Sequence, residues 1–373
     1  MSISYPAELE AHWLEIAKAE TRTTASRDAL RRLLPDIARL ADRFTIVRPD
    51  SSGAPYLKDT RACAAYSLFF APQTYARLAH VLAELPPFPV ADHPLRVLDL
   101  GCGTGAASWA LLDHLGSRPV ALTVWDHSRP ALRCLHELFA SLRAARWPET
   151  VLRTQAAPLA DFAPAGEKFD VVLLHYVLNE LAPDDRRTLL ARAARALAPN
   201  GRLVVCEPLL REGGDYMRDL RAFALAELRL HLLAPCPHEL VCPLEGPCHD
   251  VRSWKLSQAL QILNAALRRD LRHLAYAFLV LTPLPPPPAP FLRTRIVGSP
   301  SRAKGQTLCP ACCSDGRLRR LQLLHRDFDT AGRKGLRHLE RGQLLQLASW
   351  KPLGDPALFR AVPAPHAAPA PNP

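Results

Sequence analysis

The sequence predicts an α/β protein: a parallel sheet with helices on both faces, preceded by a helical portion and carrying a cysteine-rich insert. Three features point there. Short apolar runs alternate with amphipathic segments from residue 96 onward. A glycine-rich string, "GCGTG", follows the first apolar run directly. Three cysteines, Cys236, Cys242 and Cys248, stand at six-residue intervals in a proline-rich stretch with no strand or helix pattern of its own.

Residues 5–45 read as helical. Leu30, Leu33, Leu34, Ile37, Leu40 and Ala41 recur at three- and four-residue spacing after a capping residue at Thr24 or Ser26. A second helical hairpin follows in "ACAAYSLFFAPQTYARLAHVLAELP", so residues 1–90 form a helical N-terminal portion. The rhythm then changes. "RVLDL", "VALTVWD", "FDVVLLHYVL" and "GRLVVCEP" read as strands, separated by helices in "GAASWALLDHL", "RPALRCLHELFASLRAA" and "PDDRRTLLARAARAL". Strand–helix alternation of this kind builds a parallel sheet covered on both faces. Regular patterning lapses over about 208–270, which is expected to be an irregular insert, and resumes in the strand "LRHLAYAFLVLTP". "PLPPPPAP" is a linker or edge loop, "GRLRRLQLLHRDF" a further strand, and "AVPAPHAAPAPNP" a disordered tail. The sheet domain is thus expected over 91–330 and a C-terminal extension over 331–373.

Of the 373 residues 48% are hydrophobic and 22% charged, the balance of a globular chain. The formal net charge of +11 suits a polyanionic partner, nucleic acid before an anionic membrane surface. No apolar run approaches the roughly 20 residues that span a bilayer. "MSISYPAELEAHWLEIAKAE" reads as neither a secretory signal nor a transit peptide, so a cytoplasmic location is expected. Ten cysteines in a reducing compartment are expected to be free thiols or metal ligands.

In "RVLDLGCGTGAASWALL", Asp99, Gly101, Gly103 and Gly105 occupy a strand-to-helix junction, where glycines let the backbone approach a ligand. With Ala106 the string also fits GxGxxA, a dinucleotide fingerprint. The acid two residues before the first glycine, and Asp126 closing "LTVWD" where a carboxylate can take two ribose hydroxyls, instead match the S-adenosylmethionine pattern of class I methyltransferases. The fold expected is therefore a Rossmann-like class I methyltransferase sheet. After the strand ending "LLHYVLNEL", His175, Tyr176, Asn179 and Glu180 are the polar candidates for catalysis, although the same residues equally suit capping of the next helix. Neither an NPPY-type string nor a Pro-Cys nucleophile pair occurs there, so the target atom stays open.

Downstream, "TLCPACCSDGRL" supplies Cys309, Cys312 and Cys313. A thiolate-only set of four ligands suits zinc or an iron–sulfur cluster. A zinc ribbon uses two short CxxC knuckles; the single one here, beside six-residue spacing interleaved with prolines, looks more like an iron–sulfur site.

Together "APCPHELVCPL", "CHD", "VLDLGCGTG", "YVLNEL" and "CCSDG" resemble the methyltransferase-like family associated with the small subunit of the mitochondrial ribosome, and its bacterial relatives. The resemblance spans about residues 25–330. It implies an S-adenosylmethionine-binding domain with an inserted four-cysteine [4Fe–4S] site, acting on or binding small-subunit ribosomal RNA in assembly or translation. The ligands it implies are Cys236, Cys242, Cys248 and Cys312, the last four residues before Gly316, with Cys309 or Cys313 as substitutes. Pro247, Asp250 and the string "ASWKPLGD" depart from the family pattern. The expected partners are small-subunit ribosomal RNA and proteins, with no membrane, and the expected state is a monomer; the family also makes a mitochondrial location the alternative. Two other readings stand beside this one: a catalytically inactive assembly scaffold, and a zinc-stabilised small-molecule methyltransferase. "RTRIVGSPSRAKG" (293–305) and "GRLRRLQLLHR" (316–326), including Arg317, Arg319 and Arg320, are candidate phosphate contacts.

Overall fold

Four helices form the N-terminal portion of the structure, a computed structural model that describes residues 3–45, 56–90, 92–209 and 216–364. They are α1 (Ala7–Thr21), α2 (Ser26–Thr45), α3 (Thr60–Phe69) and α4 (Ala71–Ala83). The periodic residues of α2 do what their spacing predicts: Leu30, Leu33, Ile37 and Leu40 are buried together with Leu9, Trp13 and Ala17 of α1. Asp59 caps α3, its Oδ1 accepting the Ala62 amide at 2.7 Å.

The central sheet holds β1 (Leu95–Leu100), β2 (Val120–Asp126), β3 (Thr150–Ala156), β4 (Phe169–His175), β5 (Leu197–Pro208), β6 (His231–Ala234), β7 (Asp250–Ser253) and β8 (His273–Thr282). Between them run α5 (Ala106–Leu115), α6 (Arg129–Arg146), α7 (Pro183–Arg195), α8 (Tyr216–Ala226) and α9 (Gln258–Ala266). The strand order is β3-β2-β1-β4-β5-β8-β6, with β7 also paired to β8. Strands β1 to β5 are parallel, whereas β8 runs antiparallel to β5. That reversal separates this sheet from the dinucleotide fold, which continues 3-2-1-4-5 with a parallel sixth strand. Alternation along β4 divides the core: Val171 and Leu173 pack toward the N-terminal helices, Val172 and Leu174 toward the layer containing Leu189 of α7 and Leu220 of α8. The stretch expected to be an irregular insert in fact contributes α8, β6, β7 and α9. Its two strands are four residues each, too short to show alternation, and they are held by pairing with β8.

A second sheet follows: β9 (Leu292–Ile296), β10 (Ser301–Ala303), β11 (Gln306–Cys313), β12 (Leu318–Leu324), β13 (Leu344–Leu353) and β14 (Asp355–Pro363), with α10 (Thr330–Arg337) between β12 and β13. Pairings run β11-β12-β14-β13-β9 and return from β9 to β11, so five strands close on themselves, and β10 is appended as a hairpin arm. Ile296, Cys309, Ala311, Leu321, Leu323, Leu345 and Leu347 fill the interior, with Leu336 of α10 among them. This barrel replaces the expected single strand and loose extension, and the boundary expected at residue 330 falls at the start of α10. The first residues of the tail read as disordered, Ala361–Pro363, complete β14; residues 365–373 lie outside the described residues.

One buried ion cluster joins the three parts. Glu84, just past α4, receives Arg252 of β7 and Arg295 of β9, the latter at 2.8 Å. Asp250 of β7 takes both Arg295 (2.6 Å) and Arg252 (3.2 Å). All four side chains are at least nine-tenths buried. Asp250→Ala strands two buried guanidinium groups with one carboxylate between them. It is expected to cost about 3–5 kcal/mol in denaturant unfolding.

Candidate functional site: a glycine-lined crevice and a cysteine-lined cavity

Strand order reverses between β1 and β4, so the crevice beyond their carboxyl ends is where an open α/β sheet binds ligands. The glycine loop forms one wall. Gly101 and Gly105 have φ of +76° and +87°. A Cβ at Gly101 would meet Val177 Cγ2 at 2.5 Å, and one at Gly105 the Trp109 ring at 2.6 Å, so the protein itself demands glycine at both. Gly103 differs in space but not in backbone: its φ of +53° also favours glycine, yet a Cβ there would meet only Leu57 Cδ1, at 3.6 Å. Asp126 pins this loop, accepting the Gly103 amide at 2.8 Å and the Ser128 amide at 2.7 Å. Asp99 lies behind the loop, accepting Ser108 Oγ at 2.6 Å, and burial raises its carboxyl to about 7. Its contact is thus to α5, while Asp126 faces the crevice.

The opposite wall is the segment after β4, and the four sequence candidates separate here. Tyr176 and Glu180 line the crevice with Tyr56, Leu57 and Asp126. Burial, then repulsion from Asp126, raises the Glu180 carboxyl to about 7. His175 is buried beneath, stacked on Tyr176 at 5.2 Å, with neither ring nitrogen partnered among the described residues. Burial and the Arg77 charge lower it to about 3, so it stays neutral. Asn179 is structural: in the orientation that satisfies its neighbours, its amide nitrogen donates to Tyr176 O and to Glu207 Oε2.

Glu207, which the sequence did not single out, organises this wall. At the end of β5 and fully buried, it accepts the amides of Val177 (3.1 Å), Leu178 (2.9 Å) and Asn179 (3.1 Å) and the Tyr216 hydroxyl (3.0 Å). It thereby satisfies the donors that open the turn Leu178–Glu180 and holds Tyr176 at φ +63°, a backbone conformation costly for a non-glycine residue. Only its place in "VVCEP", an acid directly ending an apolar strand, could have marked it.

A second cavity lies between the insert and the barrel. Cys236, Cys242, Cys248 and Cys312 all line it, although Cys312 is 64 positions from Cys248 in the chain. Cys309 and Cys313 are buried on the other side of β11, Cys309 among the apolar residues of the barrel interior. Burial raises the thiols of Cys236, Cys248 (to about 12) and Cys312. Nitrogens nonetheless reach two of the sulfurs: Arg221 Nε donates to Cys236 Sγ at 3.4 Å, and His238 Nε2 lies 3.2 Å from Cys312 Sγ. Arg221 is 5% exposed and has no carboxylate partner among the described residues; its remaining bonds go to the carbonyls of His238 and Leu240. A buried guanidinium needs an anion, and a thiolate-ligated iron–sulfur group would supply one, so the residues present fit such a group. Among the described residues no group of three or more His, Cys, Asp or Glu is arranged to hold a single metal ion.

Sequence and fold together define a methyltransferase-like protein of the Rossmann-like class I type. Its sequence matches the family model described as "Mitochondrial small ribosomal subunit Rsm22" over residues 60–355, and the chain belongs to that family. Curated relatives include the carboxy-S-adenosyl-L-methionine synthases of Shewanella amazonensis, 34% identical over 38% of this chain and 55% of the relative, and of Vibrio cholerae, 32% identical over 42% and 64%. The chain thus spans little more than half the length of these relatives. Similar solved structures include magnesium protoporphyrin IX methyltransferase from Synechocystis with bound SAM (15% identity, 66% of this chain and 96% of that one, TM-score 0.36). Another is a TehB-like SAM-dependent methyltransferase from Corynebacterium glutamicum (19%, 56% and 86%, TM-score 0.33). Among the described residues no helix is long and apolar enough to cross a membrane.

Glu207→Ala is expected to cost about 3 kcal/mol in thermal or denaturant unfolding, because several buried donors lose their acceptor. The Glu207 carboxyl titrates near 7 in the fold, above its unfolded range, so ionisation is opposed by folding. Its contribution is present in full below the unfolded pKa and is lost as pH rises through about 7. Melting temperatures between about pH 5 and 8 should therefore fall less steeply in Glu207→Gln than in the wild type.

Proposed function

We propose that this protein binds S-adenosylmethionine in the crevice and acts on, or binds, ribosomal RNA of the small subunit during assembly or translation. The observation that carries this is the convergence of the glycine loop, Asp126 and the Tyr176–Glu180 wall at the topological switch point. Gly103 leaves space for a ligand's methionine end, and Asp126 retains lone pairs for ribose hydroxyls after accepting two amides. Bound there, the cofactor supplies an activated methyl group. This chain's own contribution is orientation: Glu207 fixes the wall, and Tyr56 and Tyr176 narrow the opening. Membership of a small-subunit family and the +11 charge support the RNA partner. The family's description is consistent with the mitochondrial alternative.

We further infer that Cys236, Cys242, Cys248 and Cys312 hold one [4Fe–4S] cluster as a folding element of a monomeric protein. It would tie the insert to the barrel, so its binding free energy becomes folding free energy for that junction. The shared cavity and the buried Arg221, which has no carboxylate partner among the described residues, support this.

Calorimetry should give measurable S-adenosylmethionine affinity for the wild type and a large loss in Gly103→Val and Asp126→Ala. No heat with wild-type protein would remove the enzyme reading and leave the scaffold. Anaerobically purified protein should be brown, with about four iron and four sulfide per chain, and Cys236→Ser should lose both colour and stability. Colourless protein carrying stoichiometric zinc would overturn the cluster.

A further inference from the structure

The C-terminal barrel has a connectivity with functional content. Taken along the chain, β9, β11, β12, β13 and β14 are its first to fifth strands, and around the ring they run first-second-third-fifth-fourth-first. The third and fifth strands, β12 and β14, are parallel, and α10 bridges the third and fourth. This is the Greek-key arrangement of the OB-fold, whose second and third strands and adjoining loops bind oligonucleotides. Fold alone does not assign a ligand. Charge does. Residues 292–363 hold fourteen Lys and Arg against five Asp and Glu, a surplus of nine out of the chain's +11.

That charge is not evenly available. Arg295 is consumed by Glu84 and Asp250. Arg319, a phosphate contact on the sequence reading, is buried, doubly bonded to Asp315 at 2.6 Å and packed between Trp350 and Phe359. Arg302, Lys304 and Lys351 are exposed and have no carboxylate partner among the described residues, although Arg302 also donates to Leu339 O at 2.7 Å. Arg302 and Lys304 sit on the arm between the first and second strands. Lys351 sits near the turn between the fourth and fifth. On the outward side of β11 and β12 the cross-strand pairs are Leu308–Gln322, Pro310–Arg320 and Cys312–Leu318. Arg320 pairs with Asp355 at 3.3 Å, while Pro310 is exposed and Leu318 is 44% exposed, giving apolar ground beside the cations of the β10 arm. The inward neighbours Cys309, Ala311, Leu321 and Leu323 fill the core. The side of the barrel at β9 faces the sheet domain, where Arg293 donates to Leu233 O.

We propose that the outer face of β11 and β12, with the β10 arm, is a binding strip for single-stranded RNA. This rests on the RNA reading given above and assigns it a surface. The strip presents no aromatic ring, so base stacking contributes little and phosphate contacts dominate. Its inner end is Cys312, which places the RNA surface and the cysteine cavity on one strand.

The test uses the full chain and a labelled oligouridine of about 12 nucleotides, within the range an OB-fold covers. A hairpin duplex and a small-subunit RNA fragment serve as comparison probes. Binding to the oligouridine should weaken linearly in log salt. Arg302→Glu with Lys304→Glu should reduce that slope by about 1.4, two contacts at about 0.7 each. Leu318→Glu should weaken binding as well. Arg27→Glu with Arg153→Glu makes the same charge change on α2 and β3, and should leave affinity unchanged. If the two double variants weaken binding equally, or the duplex binds more tightly than the single strand, the strip is not the site. Wild-type binding of the small-subunit fragment that both double variants retain would overturn this inference alone. Absence of binding to every RNA probe would overturn the RNA reading with it.

Discussion

The architecture depends on one buried arrangement of charge, in which Arg252 and Arg295 share Glu84 and Asp250. Its members come from three parts of the protein: Glu84 from the end of the N-terminal helices, Asp250 and Arg252 from the sheet insert, and Arg295 from the first barrel strand. Four charges taken out of water cost far more than any pair returns, so the cluster holds only because each carboxylate meets two guanidinium groups. It also reaches into neighbouring backbone. Position 342 lacks a Cβ because the Asp250 carboxyl occupies the space where one would stand. Asp250 follows Cys248 by two residues, and Arg295 lies opposite Cys312 in the β9–β11 register. The cluster therefore fixes the positions from which the two halves of the cysteine set approach each other.

The crevice and the cavity are built on opposite principles. In the crevice, acids are surplus: Asp126 and Glu180 face it, and Asp99 and Glu207 stand behind, each engaged by amides or hydroxyls. Such a site suits a ligand carrying positive charge and hydroxyl donors. In the cavity, the Arg221 guanidinium is turned toward sulfur with no carboxylate partner among the described residues, and the His238 ring lies against Cys312. Such a site suits an anionic occupant. The two electrostatic signs separate the sites as clearly as their positions do.

Much of the sheet domain could be read directly from the sequence because its central strands are mostly apolar. "FDVVLLH" and "VALTVWD" leave no competing period, and the glycine loop needs the positive φ its composition suggests. The barrel could not be read that way. Its strands carry Arg319, Arg320, Arg293 and Arg295; Arg295 is buried only because Glu84 and Asp250 reach it from far away in the chain, and Arg319, paired with Asp315 four residues before it, is covered by the distant rings of Trp350 and Phe359. β3 escaped notice for a similar reason: as an edge strand in "TVLRTQA" it is largely exposed. In the site, the cysteines and glycines were visible by type and spacing, whereas Glu207 acts through backbone amides thirty residues upstream, a relation no spacing rule reports.

Strand β11 carries three thiols within five positions, and the pleat assigns them to different surroundings: Cys309 to the barrel interior, Cys312 to the cavity, Cys313 inward again. Facing is thus decided by parity along the strand and not by the identity of the residue. Deletion of Pro310 or Ala311 would preserve every cysteine and yet turn the wrong one toward Cys236, Cys242 and Cys248. Insertions in the loop between Cys242 and Cys248 carry no such penalty, since that segment has no ladder to displace. Length variation among related chains should therefore accumulate in the proline-rich loop and be purged from β11, even though both segments supply the same cavity.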